Sequence, residues 1–519
     1  MPSYLTPGIY MEEVDRGTKP IEAVGTAVAA FIGYTEKAST SKNGEVISLV
    51  GSPTLVTNWS QYVNSFGGFI DGAYLPDSVY GYFANGGSVC YIVSLRTLGA
   101  AVGDDAKSAK ASLTDGKKAL LNVQAKEGGP LGNDIEVETK ADAPAEGAKT
   151  ATTFTLNVKV NGDVKESYKG LTTDKGDNNV ETVLKQSQLI SVSIASGTKG
   201  AIVPADGSVA LAGGAIETKA ITIKDYQGDI NARTGLAGLE PMDDVTMIIA
   251  PDLMSSYEAG EIDMKGVQAV QQALIDYCEL IRYCFAILDS PPGMMPQEIK
   301  EWRNTVNYDT TRAALYYPWI EIADQTGSNG TTRLVPPSGH IAGVYARVDG
   351  TRGVHKAPAN EIIRTCLGLE VQVTKGEQSL LNPIGVNCIR SFPGRGIRIW
   401  GARTLSSDAS WRYIPVRRLF NMIEESIERG TQWVVFEPND QFLWGRVRRD
   451  VGAFLKMVWG SGALFGAAPS DAFYVKCDAE TNPPELRDLG QLVVEIGISP
   501  VKPAEFVIFR ISQWSPSAE

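Results

Sequence analysis

The run Pro503-Ala-Glu-Phe-Val-Ile-Phe-Arg-Ile511 carries Phe506, Val507, Ile508, Phe509 and Ile511, so as a strand it has no polar face. A strand of that composition is buried on both sides. It must either tuck into its own domain or dock on the sheet edge of a neighbour. A second strand without an obvious home is Thr6-Pro-Gly-Ile-Tyr-Met-Glu-Glu-Val14. If both dock on neighbours, the chain is an assembly subunit and the search for an active site is misdirected.

The remainder of the chain is large enough to be a body for such arms. At 519 residues it exceeds one hydrophobic core, so about two to four domains are expected. With 43% hydrophobic and 21% charged residues it has the make-up of an ordinary globular protein. It contains no apolar run of about 18 residues and no basic-then-apolar leader pattern, so a product that stays in the cytoplasm, or leaves by a route without a leader, is expected. Cys90, Cys278, Cys284, Cys366, Cys388 and Cys477 show no C-x-x-C pairing and read as reduced, mostly buried thiols. The net charge of −12 argues against nucleic acid as a partner. Residues 390–456 break that pattern, with twelve basic residues, eleven of them Arg, against seven acidic ones. A basic patch on an acidic protein suits an acidic partner surface, while exposed helix faces are the plainer explanation.

Residues 1–20 read as an arm, interrupted by Pro2, Pro7 and Pro20. Residues 21–97 open a core with a buried strand over 23–34, helical spacing over 54–66 and 74–85, and a strand over 89–93. Residues 98–224 change texture: they hold no Trp, Cys, Met or His, and Phe154 and Tyr168 are their aromatics. Period-two alternation at Ile135-x-Val137, at Phe154-x-Leu156-x-Val158-x-Val160 and at Ile190-x-Val192-x-Ile194, with Asn161-Gly162 as a hairpin turn, predicts a small all-β insert held towards solvent. Residues 225–386 alternate strand and helix: strands at 244–250, 284–288 and 313–317, helices at 261–281, 296–307 and 338–349. That pattern implies an open α/β sheet. Residues 387–501 hold Trp400, Trp411, Trp433, Trp444 and Trp459 and predict an α+β domain. Its elements are a helix from Pro415 to about Glu428, a stop at Gly430, a strand over 433–436, and a helix capped at Pro438-Asn-Asp440 running to about Gly460. Residues 502–519 form the second arm and supply the last strand.

A catalytic reading rests on Asp252 and Asp289, which both follow predicted strands of the α/β region. Ligands in open α/β sheets bind at the carboxyl ends of strands, and two carboxylates there suit Mg²⁺ and phosphoryl chemistry. The plainer expectation is that each caps the following helix or begins a turn. No G-x-x-x-x-G-K-[ST], G-x-S-x-G or H-E-x-x-H motif occurs. His340 and His355 sit among glycines and turns and read as structural. Gly394-Arg-Gly396 lacks the third glycine of a dinucleotide loop.

Several of these segments together resemble one family. Pro7-Gly-Ile-Tyr-Met-Glu-Glu-Val14, continuing through Lys19-Pro-Ile-Glu-Ala-Val-Gly-Thr-Ala-Val-Ala-Ala-Phe-Ile-Gly33, is similar to the opening signature of contractile tail sheath proteins of phages and phage-like injection systems. Ile399-Trp-Gly-Ala-Arg-Thr-Leu405, Trp411-Arg-Tyr-Ile-Pro-Val-Arg-Arg-Leu-Phe420, Glu424-Glu-Ser-Ile427, Phe436-Glu-Pro-Asn439 and Pro500-Val-Lys-Pro-Ala-Glu-Phe-Val507 resemble that family's C-terminal domain. Gly129-Pro-Leu-Gly-Asn133 is similar to a loop in its insert.

The resemblance implies an α/β sheath core plus a C-terminal α+β domain, with the β insert outside and both ends extended. It implies subunits stacked helically around an inner tube, each arm adding a strand to a neighbour's sheet through residues such as Ile9, Tyr10, Met11, Val14, Phe506, Val507, Ile508 and Phe509. Arg412, Arg417, Arg418, Arg446, Arg448 and Arg449 are the candidates for facing an acidic tube. Baseplate and terminal cap proteins, and an AAA+ ATPase, are the further partners implied. No cofactor, nucleic acid or membrane insertion is implied, because the energy of contraction lies in subunit contacts not yet made. The competing expectations are an α/β hydrolase- or phosphatase-like enzyme using Asp252 and Asp289, and a polysaccharide-binding protein using the insert, whose poverty in aromatics argues against sugar stacking.

Overall fold

A computed structural model describes residues 20–42, 45–102, 106–144, 150–198, 200–217, 219–327 and 330–512. Within these the chain forms two units, a large one of residues 25–418 with 503–512 and a small one of residues 20–24 with 419–502.

The large unit is built on an eight-stranded sheet in the order Gly396–Ile399, Val386–Phe392, Ala313–Tyr317, Phe285–Asp289, Met247–Ile249, Ala29–Thr35, Cys90–Thr97, Thr54–Val56. All inner pairings are parallel, and the edge strands Thr54–Val56 and Gly396–Ile399 pair antiparallel. Strands covered on both faces read as continuous apolar runs, which is why Ala29–Thr35 is buried along its whole length. Alternate residues feed two cores. Ala30, Ile32, Ile248, Ala286, Leu288 and Leu315 meet Val267, Val270 and Leu274 of the helix Met264–Ile281. Ala29, Phe31, Met247, Ile249, Phe285 and Ile287 meet the helices Leu75–Asn85 and Ser338–Arg352. The small-residue spacing of Ser338–Arg352 has a packing cause: a Cβ on Gly339 or Gly343 would lie 2.5 Å from Ser78 or from the Tyr82 carbonyl. Two helix backbones cross there at close range.

Residues 387–418, assigned from sequence to the last domain, instead supply the strands Val386–Phe392 and Gly396–Ile399 to this large sheet. Between the core segments, Asp163–Leu171, Phe154–Val160, Ile135–Ala141 and Gly207–Ala210 form an antiparallel four-stranded sheet. Ile190–Ile194, Ala119–Ala125 and Lys110–Thr114 form a second, three-stranded one. Their shared core includes Val123, Val137, Phe154, Leu156, Val158, Leu171 and Ile190. Asn161 and Gly162 carry φ of 52° and 85°, the left-handed pair that a tight hairpin needs.

In the small unit, Val24 N–H donates to Ser426 Oγ at 3.0 Å, on the helix Ile414–Gly430. Asp440 caps the helix Gln441–Gly460, its Oδ1 accepting from Leu443 N–H at 2.9 Å, and Leu443, Val447, Val451, Phe454 and Leu455 face inward as their spacing requires. The strand expected over 433–436 is absent. Gln432–Val434 is a 3₁₀ turn, Glu437 N–H returns to the Val434 carbonyl at 3.1 Å, and Phe436 has φ of 68° and is fully exposed. Its β-prone residues meet no partner strand among the described residues, so the local turn wins. The unit's strands are Phe473–Lys476 and Glu495–Ile498, paired antiparallel with each other. Among the described residues Glu495–Ile498 is thus the last strand, in place of the segment expected beyond residue 502.

Candidate functional site

An open α/β sheet is tested first at its switch point, where ligands normally enter. Chain progression runs one way from Ala29–Thr35 to Cys90–Thr97 and the other way from Met247–Ile249 to Val386–Phe392, so the crevice lies between Ala29–Thr35 and Met247–Ile249. Asp252 fills it. Its Oδ2 accepts from Tyr34 N–H at 2.6 Å and Leu75 N–H at 3.2 Å, and its Oδ1 accepts from Tyr74 N–H and from Ser255 Oγ at 3.1 Å. Gly33 is glycine because a Cβ there would lie 2.3 Å from that Oδ2. Burial pushes the Asp252 carboxyl up to about 6 even though four hydrogen bonds pull the other way.

Asp289 is spent similarly. It accepts from Ser338 N–H at 2.9 Å and from Ser338 Oγ, and burial pushes it up to about 7. Both carboxylates are therefore caps, but of helices remote in sequence, Leu75–Asn85 and Ser338–Arg352, rather than of the helices that follow them. A third buried carboxylate, Asp77, escaped sequence reasoning. Arg333 Nη1 stands 3.3 Å from its Oδ2, and burial pushes it up to about 7. His340 is enclosed between the crossing helices, with Nε2 3.1 Å from Thr365 Oγ1, and burial pushes it down to about 4. Burial also lowers His355. Among the described residues no cluster of three His, Cys, Asp or Glu is placed to hold a metal ion, and no helix is long and apolar enough to cross a membrane.

Apolar surface is spent elsewhere. Residues 503–512 form no strand, contrary to expectation, and Phe506, Val507, Ile508, Phe509 and Ile511 are 68–94% exposed. The residues are as apolar as a buried strand requires, yet no described residue of their own chain covers them. Just before them the chain is held fast. Glu505 receives Arg403 Nε at 2.8 Å on Oε1 and Arg403 Nη2 at 2.6 Å on Oε2, with Asn382 Nδ2 at 2.8 Å and Tyr413 OH at 2.9 Å completing the set. Ile9, Tyr10, Met11 and Val14 lie outside the described residues. In the small unit, each of Phe473–Lys476 and Glu495–Ile498 has the other as its ladder partner among the described residues, and Tyr474 is exposed.

The six arginines separate into two groups. Arg417 and Arg418 are buried. Arg418 pairs with Asp349 at 2.6 Å, donates to the Thr26 carbonyl at 2.8 Å and lies over the Tyr345 ring, while Arg417 lies over Trp411. These two are corrected from partner-facing to internal, since a buried guanidinium is retained only when paired. Arg412 is half-buried. Arg446 stacks on Trp433 at 4.1 Å, and Arg448 and Arg449 are exposed on the helix Gln441–Gly460, the one donating to the Cys477 carbonyl and the other to Asp450 at 2.9 Å.

Residues 219–405 match the phage tail sheath protein central domain, and residues 406–513 match the phage tail sheath C-terminal domain. The chain belongs to the tail sheath family. The tail sheath protein of Vibrio phage KVP40 is 24% identical over 406 residues, covering 72% of this chain and 57% of that protein. The tail sheath protein of Burkholderia phage BcepMu is 27% identical over 316 residues, covering 56% of this chain and 61% of that protein. The matches thus span about six tenths of these relatives' length. The helical sheath of the anti-feeding prophage in its contracted state shares the fold, with a TM-score of 0.61 at 23% identity over 98% of this chain and 100% of that one. The family is one of structural sheath proteins, and the enzyme reading built on Asp252 and Asp289 finds no support in it.

Proposed function

We propose that this chain is the subunit of a contractile sheath, which polymerises helically with copies of itself around an inner tube and shortens to drive that tube through a target envelope. The observation that carries the reading is the segment 506–511, an apolar strand sequence left exposed beside a firmly held Glu505. In this reading it adds to the two-stranded sheet of another copy, where Phe473–Lys476 and Glu495–Ile498 offer ladder positions, and Ile9, Tyr10, Met11 and Val14 serve as the second donor. Head-to-tail addition of strands yields an open array, not a closed dimer.

The insert at 98–224 is the outward domain, and the helix Gln441–Gly460 presents Arg446, Arg448 and Arg449, with Arg412 beside the preceding helix, to an acidic tube. The tube, a baseplate, a terminal cap and an AAA+ ATPase are the partners of such a particle, a phage tail or phage-like injection device assembled in a bacterial cytoplasm. Negative-stain microscopy of the chain expressed with its tube tests this: long hollow cylinders are expected, and compact particles at every concentration refute it. Arg448→Glu with Arg449→Glu is expected to stop growth on the tube.

A further inference from the structure

The grip on Glu505 is more elaborate than a surface ion pair. Arg403 meets it with two parallel N–H···O bonds, the geometry that makes Arg–carboxylate pairs directional. Arg403 is itself 8% exposed and anchored through its backbone. Asn387, fully buried on the large-sheet strand Val386–Phe392, accepts from Arg403 N–H at 2.7 Å and donates to the Arg403 carbonyl at 2.8 Å. Asn382 and Tyr413 reach the same carboxylate from two further segments. Half-burial works against the Glu505 charge, yet the hydrogen bonds from Arg403, Asn382 and Tyr413 outweigh it and hold the carboxyl below its ordinary value. One residue later the chain makes no ladder and is exposed.

We propose that Glu505 is a mooring: the bonds from Arg403, Asn382 and Tyr413 fix the root of the 506–511 arm to the chain's own large sheet, so the arm pivots from a fixed point and tension on it passes through Asn387 into that sheet. Glu505 is a positioning residue in this scheme and touches no partner. The inference rests on the sheath reading for its purpose but not for its geometry, and the two fail separately.

The test uses the full-length chain, freshly purified and unassembled, under limited chymotrypsin digestion. Cleavage after Phe506 needs the residues on both sides to leave the body, whereas cleavage after Phe509 does not, so Phe509 is an internal reference. In the wild type the Phe506 site is expected to be protected relative to Phe509. Glu505→Gln is expected to raise the Phe506/Phe509 ratio about tenfold, the factor for reducing a charge-assisted pair to a neutral one. Arg403→Lys, which keeps charge without the fork, is expected to fall between the two, and Tyr413→Phe to give a smaller rise in a variant that removes one hydroxyl. An unchanged ratio in all three overturns the mooring. Growth on the tube then tests its purpose: a well-folded Glu505→Gln chain is expected to give short or irregular cylinders. Wild-type lengths from a variant with a loosened root overturn the positioning role, while a wild-type chain that forms no cylinders overturns the sheath reading and leaves the cleavage ratio to decide the mooring.

Discussion

The crevice at Asp252 and the segment 506–511 treat their side chains in opposite ways. At the crevice, a place where α/β proteins admit ligands, the chain fills the space with its own carboxylate and satisfies it from Tyr34, Tyr74, Leu75 and Ser255. At 506–511 it leaves a row of aromatic and branched side chains in solvent. A fold familiar from enzymes is here closed where an enzyme is open and unfinished at its edge. Function is sought where the chain leaves its chemistry unsatisfied.

The largest effect expected from breaking this contrast falls on assembly. Phe506→Asp with Ile508→Asp is expected to abolish cylinders while leaving stability within about 0.5 kcal/mol, because exposed positions without partners contribute little to folding. Microscopy beside a denaturant titration decides it, and intact cylinders refute the arm. Next in size is Asp252→Ala, which strands the buried N–H groups of Tyr34 and Leu75 and the half-buried one of Tyr74; a loss of about 3–5 kcal/mol is expected by denaturant unfolding. Arg418→Met belongs in the same range, because it leaves Asp349 buried and unpaired.

A pH effect of intermediate size should come from Asp289. Its carboxyl, ordinarily 3.8, stands at about 7 in the folded chain, so between these values the folded state holds the extra proton. Its stabilising contribution is full below the ordinary value and is lost as pH rises through 7, a fall of about 3 kcal/mol between pH 5 and 8. Asp289→Asn should remove its share of the slope and leave those of Asp77 and Asp252, which lie in the same window; an equally steep profile in the variant refutes the Asp289 share. The smallest effect on folding, about 1 kcal/mol or less, is expected from Arg448→Glu with Arg449→Glu, which loses the bond to the Cys477 carbonyl and the exposed pair with Asp450 while stopping growth on the tube.

Elements with a local cause were legible in the sequence. The alternation Phe154-x-Leu156-x-Val158-x-Val160, the pair Asn161-Gly162 and the cap Asp440 each act within a few residues, and each formed as expected. Residues 433–436 misled because a β-prone run makes a strand only beside another strand, and among the described residues none pairs with it. Charge counts said nothing of direction: Arg418 found Asp349, 69 residues away, and turned inward. The two-faced apolar run at 506–511 was visible, but the sequence leaves open whether its own domain or a neighbour covers it, because composition shows that a strand needs cover and not where the cover lies. Glu505 passed unnoticed because its main partner is 102 residues distant and no local pattern marks such a pair.

The hairpin turn at Asn161-Gly162 has a practical corollary. Gly162 has open space where a side chain would project, and its backbone already adopts a left-handed conformation. A foreign peptide spliced between these two residues would lengthen an exposed tip rather than strain a core. If the insert faces outward, every copy in a polymer would then carry the graft at a regular interval, turning the particle's exterior into an addressable lattice.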